Sequence, residues 1–143
     1  MPSPTPSELK KQLVAQGLEI FRVQGIRIHL ADRVRENLIM DGGVCAVASD
    51  PPVVRFVTRA QASHFPGETA EELFARARRL AESSQPLGYR EVETLVVTIK
   101  DPGGGPATLD TCYEVAYEKT VDSATLVEEL RYALRLEKAT AAG

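Results

Sequence analysis

Residues 31–40 read ADRVRENLIM, and the fold turns on whether they extend or coil. In a helix, Leu30, Val34 and Leu38 stack at i+4 spacing. In a strand, Val34, Leu38 and Met40 share one face with Glu36. The next residues favour the strand: Asp41-Gly42-Gly43 reads as a hairpin turn leading into VCAVA, 44–48. Upstream, Ile26, Ile28 and Leu30 alternate with Arg27 and His29, as on a half-buried strand, and Gly25 marks a turn or bulge. Downstream, Asp50-Pro51-Pro52 is a turn. VVRFVTRA, 53–60, then sets Val54 and Phe56 against Arg55, and Thr58 against Val57 and Arg59. Prolines at the start of that run suit an edge strand. This block of three strands is the centre of the predicted fold.

Helices flank the block. Thr5-Pro6-Ser7-Glu8 is a helix start, with Thr5 as cap, Pro6 in the first turn and Glu8 closing a capping box. That helix runs to about Gly17, a natural residue after a helix end. A second helix is capped by Thr69 with Glu72 three residues on, and Leu73, Phe74, Ala77, Leu80 and Ala81 form its apolar stripe. Arg76 follows Glu72 by four and Glu82 follows Arg78 by four, the spacing of solvated ion pairs. Two long β runs follow, REVETLVVTIK at 90–100 and LDTCYEVAYEK at 109–119, joined by DPGGGPAT. In the second run Thr111, Tyr113, Val115 and Tyr117 are expected to face the core, with Cys112 and Ala116 outward. Asp122 caps a closing helix whose stripe is Leu126, Val127, Leu130 and Leu134. The fold class is therefore α+β: a single domain over 7–138, an antiparallel sheet with three helices in the order α-βββ-α-ββ-α. Residues 1–6 and 139–143 are expected to be a disordered and a frayed tail.

Composition narrows the function classes. A chain of 143 residues with 43% hydrophobic residues can bury a core. Its net charge of −3 argues against a whole-domain nucleic-acid footprint. Cys45 and Cys112 sit in apolar runs and read as buried free thiols. The first residues, MPSPTPSELKKQL, lack an apolar signal core, and no stretch approaches the ~20 apolar residues of a membrane span. A cytoplasmic protein is expected.

Chemistry-bearing residues are sparse. His29 and His64 are the only histidines. A nucleophile–base pair needs Cys45, Cys112 or a serine beside one of them. A metal set of His29, Asp32 and Glu36 requires 29–40 to be helical. Gly103-Gly104-Gly105 lacks the Lys-Ser/Thr and helix of a phosphate loop. Arg55, Arg59, Arg76, Arg78 and Arg79 could form a basic patch, but no aromatics interleave to stack bases. No catalytic, cofactor or metal residue is assigned.

The order of elements resembles the type III secretion chaperone family and the related sensory transduction regulator family. The resemblance is carried by TPSELKKQLVAQG, VVRFVTRA, TAEELFARARRLAES, REVETLVVTIK, TCYEVAYEK and VDSATLVEELRYALRLEKA, across about residues 5–138. It departs at the end of the second helix, which shows Glu82-Ser83-Ser84-Gln85 in place of an asparagine-rich ending. The resemblance implies a homodimer that offers sheet and helix surfaces to extended protein segments, with no catalytic residues. The expected function is thus a non-enzymatic, chaperone- or adaptor-like protein-binding domain. Val53, Arg55, Val57 and Arg59 are its expected contacts, on an edge strand. One alternative is a small-ligand or enzymatic pocket between sheet and helices using His64 with Tyr113 or Tyr117. Another is nucleic-acid binding through the arginines.

Overall fold

The computed structural model describes residues 4–100, 103 and 108–142. The three long helices are α1, Pro6–Ala15; α2, Ala70–Leu80; and α3, Leu126–Ala142. Six strands form one antiparallel sheet: β1, Ile20–Gln24; β2, Arg27–Arg35; β3, Leu38–Val47; β4, Val53–Gln61; β5, Arg90–Lys100; and β6, Thr108–Thr120. Their order across the sheet is β1-β2-β3-β4-β6-β5. The α+β class holds, but four strands precede α2 where the sequence reading placed three.

The extra strand comes from two turns. Gly25, with φ +60°, separates β1 from β2. Glu36 and Asn37 turn β2 into β3, so ADRVRENLIM is neither one helix nor one strand. Arg33 braces this turn, donating to the Glu36 carbonyl at 2.6 Å and gripping Glu19 through Nε and Nη2. The predicted hairpin at 41–43 is a correction: those residues lie inside β3. There Ala31 pairs with Asp41 and His29 with Cys45, so one residue of β2 faces three of β3, which is a bulge. The Asp41 carboxylate accepts from the Gly43 N–H at 2.9 Å, which gives a bulge the same Asp-Gly signature as a hairpin.

Contact density divides the chain into two compact units, residues up to Phe56 with residues from Glu118 on, and Val57–Tyr117. In the first, Ile28, Leu30, Val44, Ala46, Val54 and Phe56 form one buried sheet face. Leu9 and Leu13 of α1 and Leu126, Leu130 and Ala133 of α3 are buried as well. The Thr5 hydroxyl accepts from the Glu8 N–H, so the predicted cap forms, and Gly17 follows the helix at φ +89°. Arg131 of α3 donates to the Gln16 carbonyl at 2.6 Å, closing the end of α1. At Gly42 the α3 side chain Leu134 comes so near that a Cβ there would lie 2.9 Å from its Cδ2 and 3.2 Å from the Leu30 carbonyl oxygen. Glycine at 42 lets the bulge sit close beneath the half-buried Leu134 side chain. α3 reaches Ala142, past the frayed end expected at 139.

In the second unit α2 begins with the predicted capping box, Thr69 and Glu72 exchanging both hydrogen bonds. Leu73 and Ala77 are buried. Phe74 meets Tyr113 of β6 edge to face at 5.2 Å. The predicted i, i+4 ion pairs give way to longer ones: Arg76 binds Glu68 and Arg78 binds Glu91. On β6, Cys112 and Ala116 are buried where the alternation placed them outward. An inner strand is covered on both faces, and alternation cannot show that.

Candidate functional site

The sequence assigned partner contacts to Val53, Arg55, Val57 and Arg59 on an edge strand. The edge premise is corrected: β4 lies between β3 and β6 in the sheet, with Val53–Phe56 paired to β3. Arg55 is 6% exposed and donates to Glu118 at 2.9 Å. Arg59 lies 3.4 Å from Glu114, and Val53 and Val57 are half-buried. Pro51 and Pro52 sit in the turn before β4, where they remove no ladder hydrogen bond, so they do not mark an edge.

The edges are β1 and β5, and they differ in kind. β1 is five residues long, carries Arg22 at its centre and breaks register between Ile20 and Arg22. Short length, charge and a bulge all discourage pairing with another chain. β5 spans eleven residues, and every one except Leu95 is exposed. Its charges, Arg90, Glu91, Glu93 and Lys100, lie toward the ends. TLVVTI at 94–99 contains no charge, proline or glycine. Val96 is 57% exposed, and Val92, Val97 and Ile99 are exposed with it. Val92 and Val96 share one face, Val97 and Ile99 the other. Arg78 fixes the start of the strand, donating from Nε to Glu91 at 2.7 Å and from Nη2 at 3.1 Å. The sequence marks REVETLVVTIK as a strand but does not show that both its faces are exposed among the described residues.

One constellation joins candidate catalytic residues. His29 of β2 is opposite Cys45 of β3, and Cys45 is opposite Arg55 of β4. Asp41 lies 3.9 Å from His29 Nδ1, too far for a hydrogen bond. His29, expected on an outward position, keeps only 17% side-chain exposure, and its Nε2 is buried with no hydrogen-bond partner. Burial pushes the Cys45 thiol up to about 11, against the pull of the Arg55 and Arg27 cations. Burial lowers the His29 pKa, with Asp41 opposing. At neutral pH the row holds a thiol and a neutral imidazole. A nucleophile requires a thiolate at a reachable sulfur. Cys45 is 4% exposed, so it has neither property.

The remaining candidates are dispersed. His64 is exposed, with its ring against Phe65, while Tyr113 packs on Phe74 and Tyr117 is buried. The metal set His29, Asp32 and Glu36 loses its premise because Arg27–Arg35 is a strand and Glu36 is in a turn. Among the described residues no group of histidine, cysteine, aspartate or glutamate could hold a metal ion. Gly103 lies in a turn, and Gly104 and Gly105 lie outside the described residues. Four of the five patch arginines are compensated: Arg55, Arg59 and Arg78 each meet a glutamate, and Arg76 binds Glu68 while stacking 4.0 Å over Phe65. Asp110, at the start of β6, organises the loop after β4. It accepts from the Ser63 hydroxyl at 2.6 Å, the Ser63 N–H at 3.1 Å and the Gln61 amide at 3.0 Å. These bonds, the Ser63 hydroxyl foremost, hold its pKa below the ordinary value. Among the described residues no helix is long and apolar enough to cross a membrane. Compared with known proteins, the chain is matched by no family model, no curated protein and no solved structure.

Proposed function

We propose that this chain is a non-enzymatic protein-binding domain, chaperone- or adaptor-like, that works in the cytoplasm and takes an extended protein segment onto the outer edge of β5. The observation that carries this reading is the state of β5: an eleven-residue edge strand, exposed except at Leu95, with an uncharged centre. Such an edge presents unpaired N–H and C=O groups in register, ready to accept another strand. Strand addition takes its affinity from main-chain hydrogen bonds and its selectivity from alternate side chains. The buried, protonated Cys45 thiol and the ion-paired Arg55 and Arg59 of β4 support a protein-binding role over hydrolysis or an arginine-borne nucleic-acid contact at β4.

The test is site-specific photo-crosslinking in the native cell. A photo-reactive residue placed at 92 or 96 is expected to capture protein adducts. The same residue at 55 or 59 on β4 is expected to capture none. Adducts at β4 without any at β5 would overturn the assignment.

A further inference from the structure

The β5 edge also indicates its occupant. Resting on the reading that this edge is the recognition element, we infer that it binds a second copy of this chain, antiparallel, about a two-fold axis through Val96. The first reason is the sequence of the strand. Thr94-Leu95-Val96-Val97-Thr98 reads nearly alike in both directions. Antiparallel pairing about Val96 sets Thr94 against Thr98, Leu95 against Val97, and Val96 against itself. Threonine pairs and aliphatic pairs are favourable across neighbouring strands.

The second reason is charge. A two-fold axis through the sheet keeps facing side chains on the same side, so paired residue numbers must share parity. Within that constraint, moving the axis to Leu95 puts Arg90 opposite Lys100, two like charges. Moving it to Thr94 puts Glu93 opposite Leu95 on both sides of the axis. About Val96, residues 92–100 pair with no like charges facing each other: Val92 meets Lys100 and Glu93 meets Ile99. An axis at Thr94 also pairs nine residues without like charges, so charge excludes the full-length register about Leu95, and the near-symmetric Thr94–Thr98 run selects Val96.

The third reason is closure. An isologous contact uses the same patch on both subunits and leaves none over. Pairing β5 with β5 consumes the one long, smooth edge of each chain. The edges that remain are both β1, five residues long, bulged and carrying Arg22. Assembly therefore stops at two. Pairing β5 with β1 would instead leave an open β5 at every step and run on without closing.

Sedimentation of the full chain tests this first. The expected particle is a dimer of the 15.6 kDa chain that dissociates on dilution. Val96→Lys puts two cations face to face and is expected to yield monomer with an unchanged circular dichroism spectrum, since Val96 is exposed. Val96→Cys is expected to cross-link to itself under mild oxidation, whereas Val92→Cys, facing Lys100, is not. Native Cys45 and Cys112 are buried and give little background. A chain monomeric at every concentration overturns the inference, and so does Val92→Cys cross-linking as readily as Val96→Cys. A monomer that still gives β5 photo-adducts with another protein removes the second copy alone. No adduct of any kind at β5 removes the binding role with it.

Discussion

Replacing Thr58 by valine removes one hydrogen bond and almost no volume, so its cost isolates how β4 holds α2. The Thr58 hydroxyl donates to the Ala77 carbonyl at 2.7 Å, and both residues are buried. Ala77 is in the last turn of α2, where carbonyls run out of helical partners. The Ala81 N–H, which in a longer helix would reach Ala77, bonds Arg78 instead. The sheet hydroxyl thus closes the helix end, with no side chain from α2 involved. Valine keeps the shape and leaves the carbonyl unsatisfied in the core, which costs about 1–3 kcal/mol. Thr58→Ser keeps the hydroxyl and loses one methyl, about 0.8 kcal/mol of buried surface before any cavity cost. Urea unfolding of the three proteins gives the comparison, with a lowered midpoint at constant slope reporting stability alone. Valine is expected to be the more damaging change, and hydrogen exchange at the end of α2 is expected to rise in that variant. A valine variant as stable as the parent, or a serine variant clearly worse than valine, would refute the argument.

Gly42→Ala sets a Cβ 2.9 Å from the movable Leu134 Cδ2 and 3.2 Å from the Leu30 carbonyl, so Leu134 is expected to swing aside and the thermal midpoint to fall only slightly, by less than the roughly 1–3 kcal/mol of rigid overpacking. Arg55→Ala strands Glu118 beside a buried gap. Loss on the order of 3 kcal/mol is expected, at the low end for a broken buried pair because Glu118 keeps 30% exposure. The Cys45 thiol sits at about 11 in the fold against an ordinary 9.0, so its contribution is whole below pH 9. It is lost as the pH rises toward 11, when the unfolded chain ionises first, and amounts to roughly 2–3 kcal/mol. Cys45→Ala is expected to flatten that alkaline decline. A thiol reagent at pH 7.5 is expected to leave Cys45 unmodified until denaturant is added.

Local signals in the sequence were legible wherever a local rule sufficed. Thr5 and Thr69 cap because their side chains reach N–H groups three residues on, and no tertiary contact is needed. The β runs of REVETLVVTIK and TCYEVAYEK were legible for the same reason. What failed depended on neighbours far away in sequence. Asp41-Gly42-Gly43 serves a bulge as well as a hairpin, and only the pairing of Ala31 with Asp41 decides between them. Glu36-Asn37 carried no glycine or proline to announce the true turn. Arg55 read as a partner contact because Glu118, with which it pairs inside the fold, lies 63 positions away. The edge assignment failed on strand order: β6 inserts between β4 and β5, so the last strand in the hairpin becomes inner and the earlier one outer. Alternating patterns give faces, and they carry no information on which strand ends the sheet.

The notch at Gly42 has a mechanical consequence for α3. A smooth helix lying on a sheet can slide along its axis or roll about it at modest cost, because ridges meet grooves at several settings. Here one side chain, Leu134, seats in a gap the width of a missing methyl. One turn nearer the start of the helix, Arg131 is tethered to the Gln16 carbonyl. These two contacts set where α3 lies along the sheet. The helix is thereby keyed to the sheet, as a shaft is keyed to its hub.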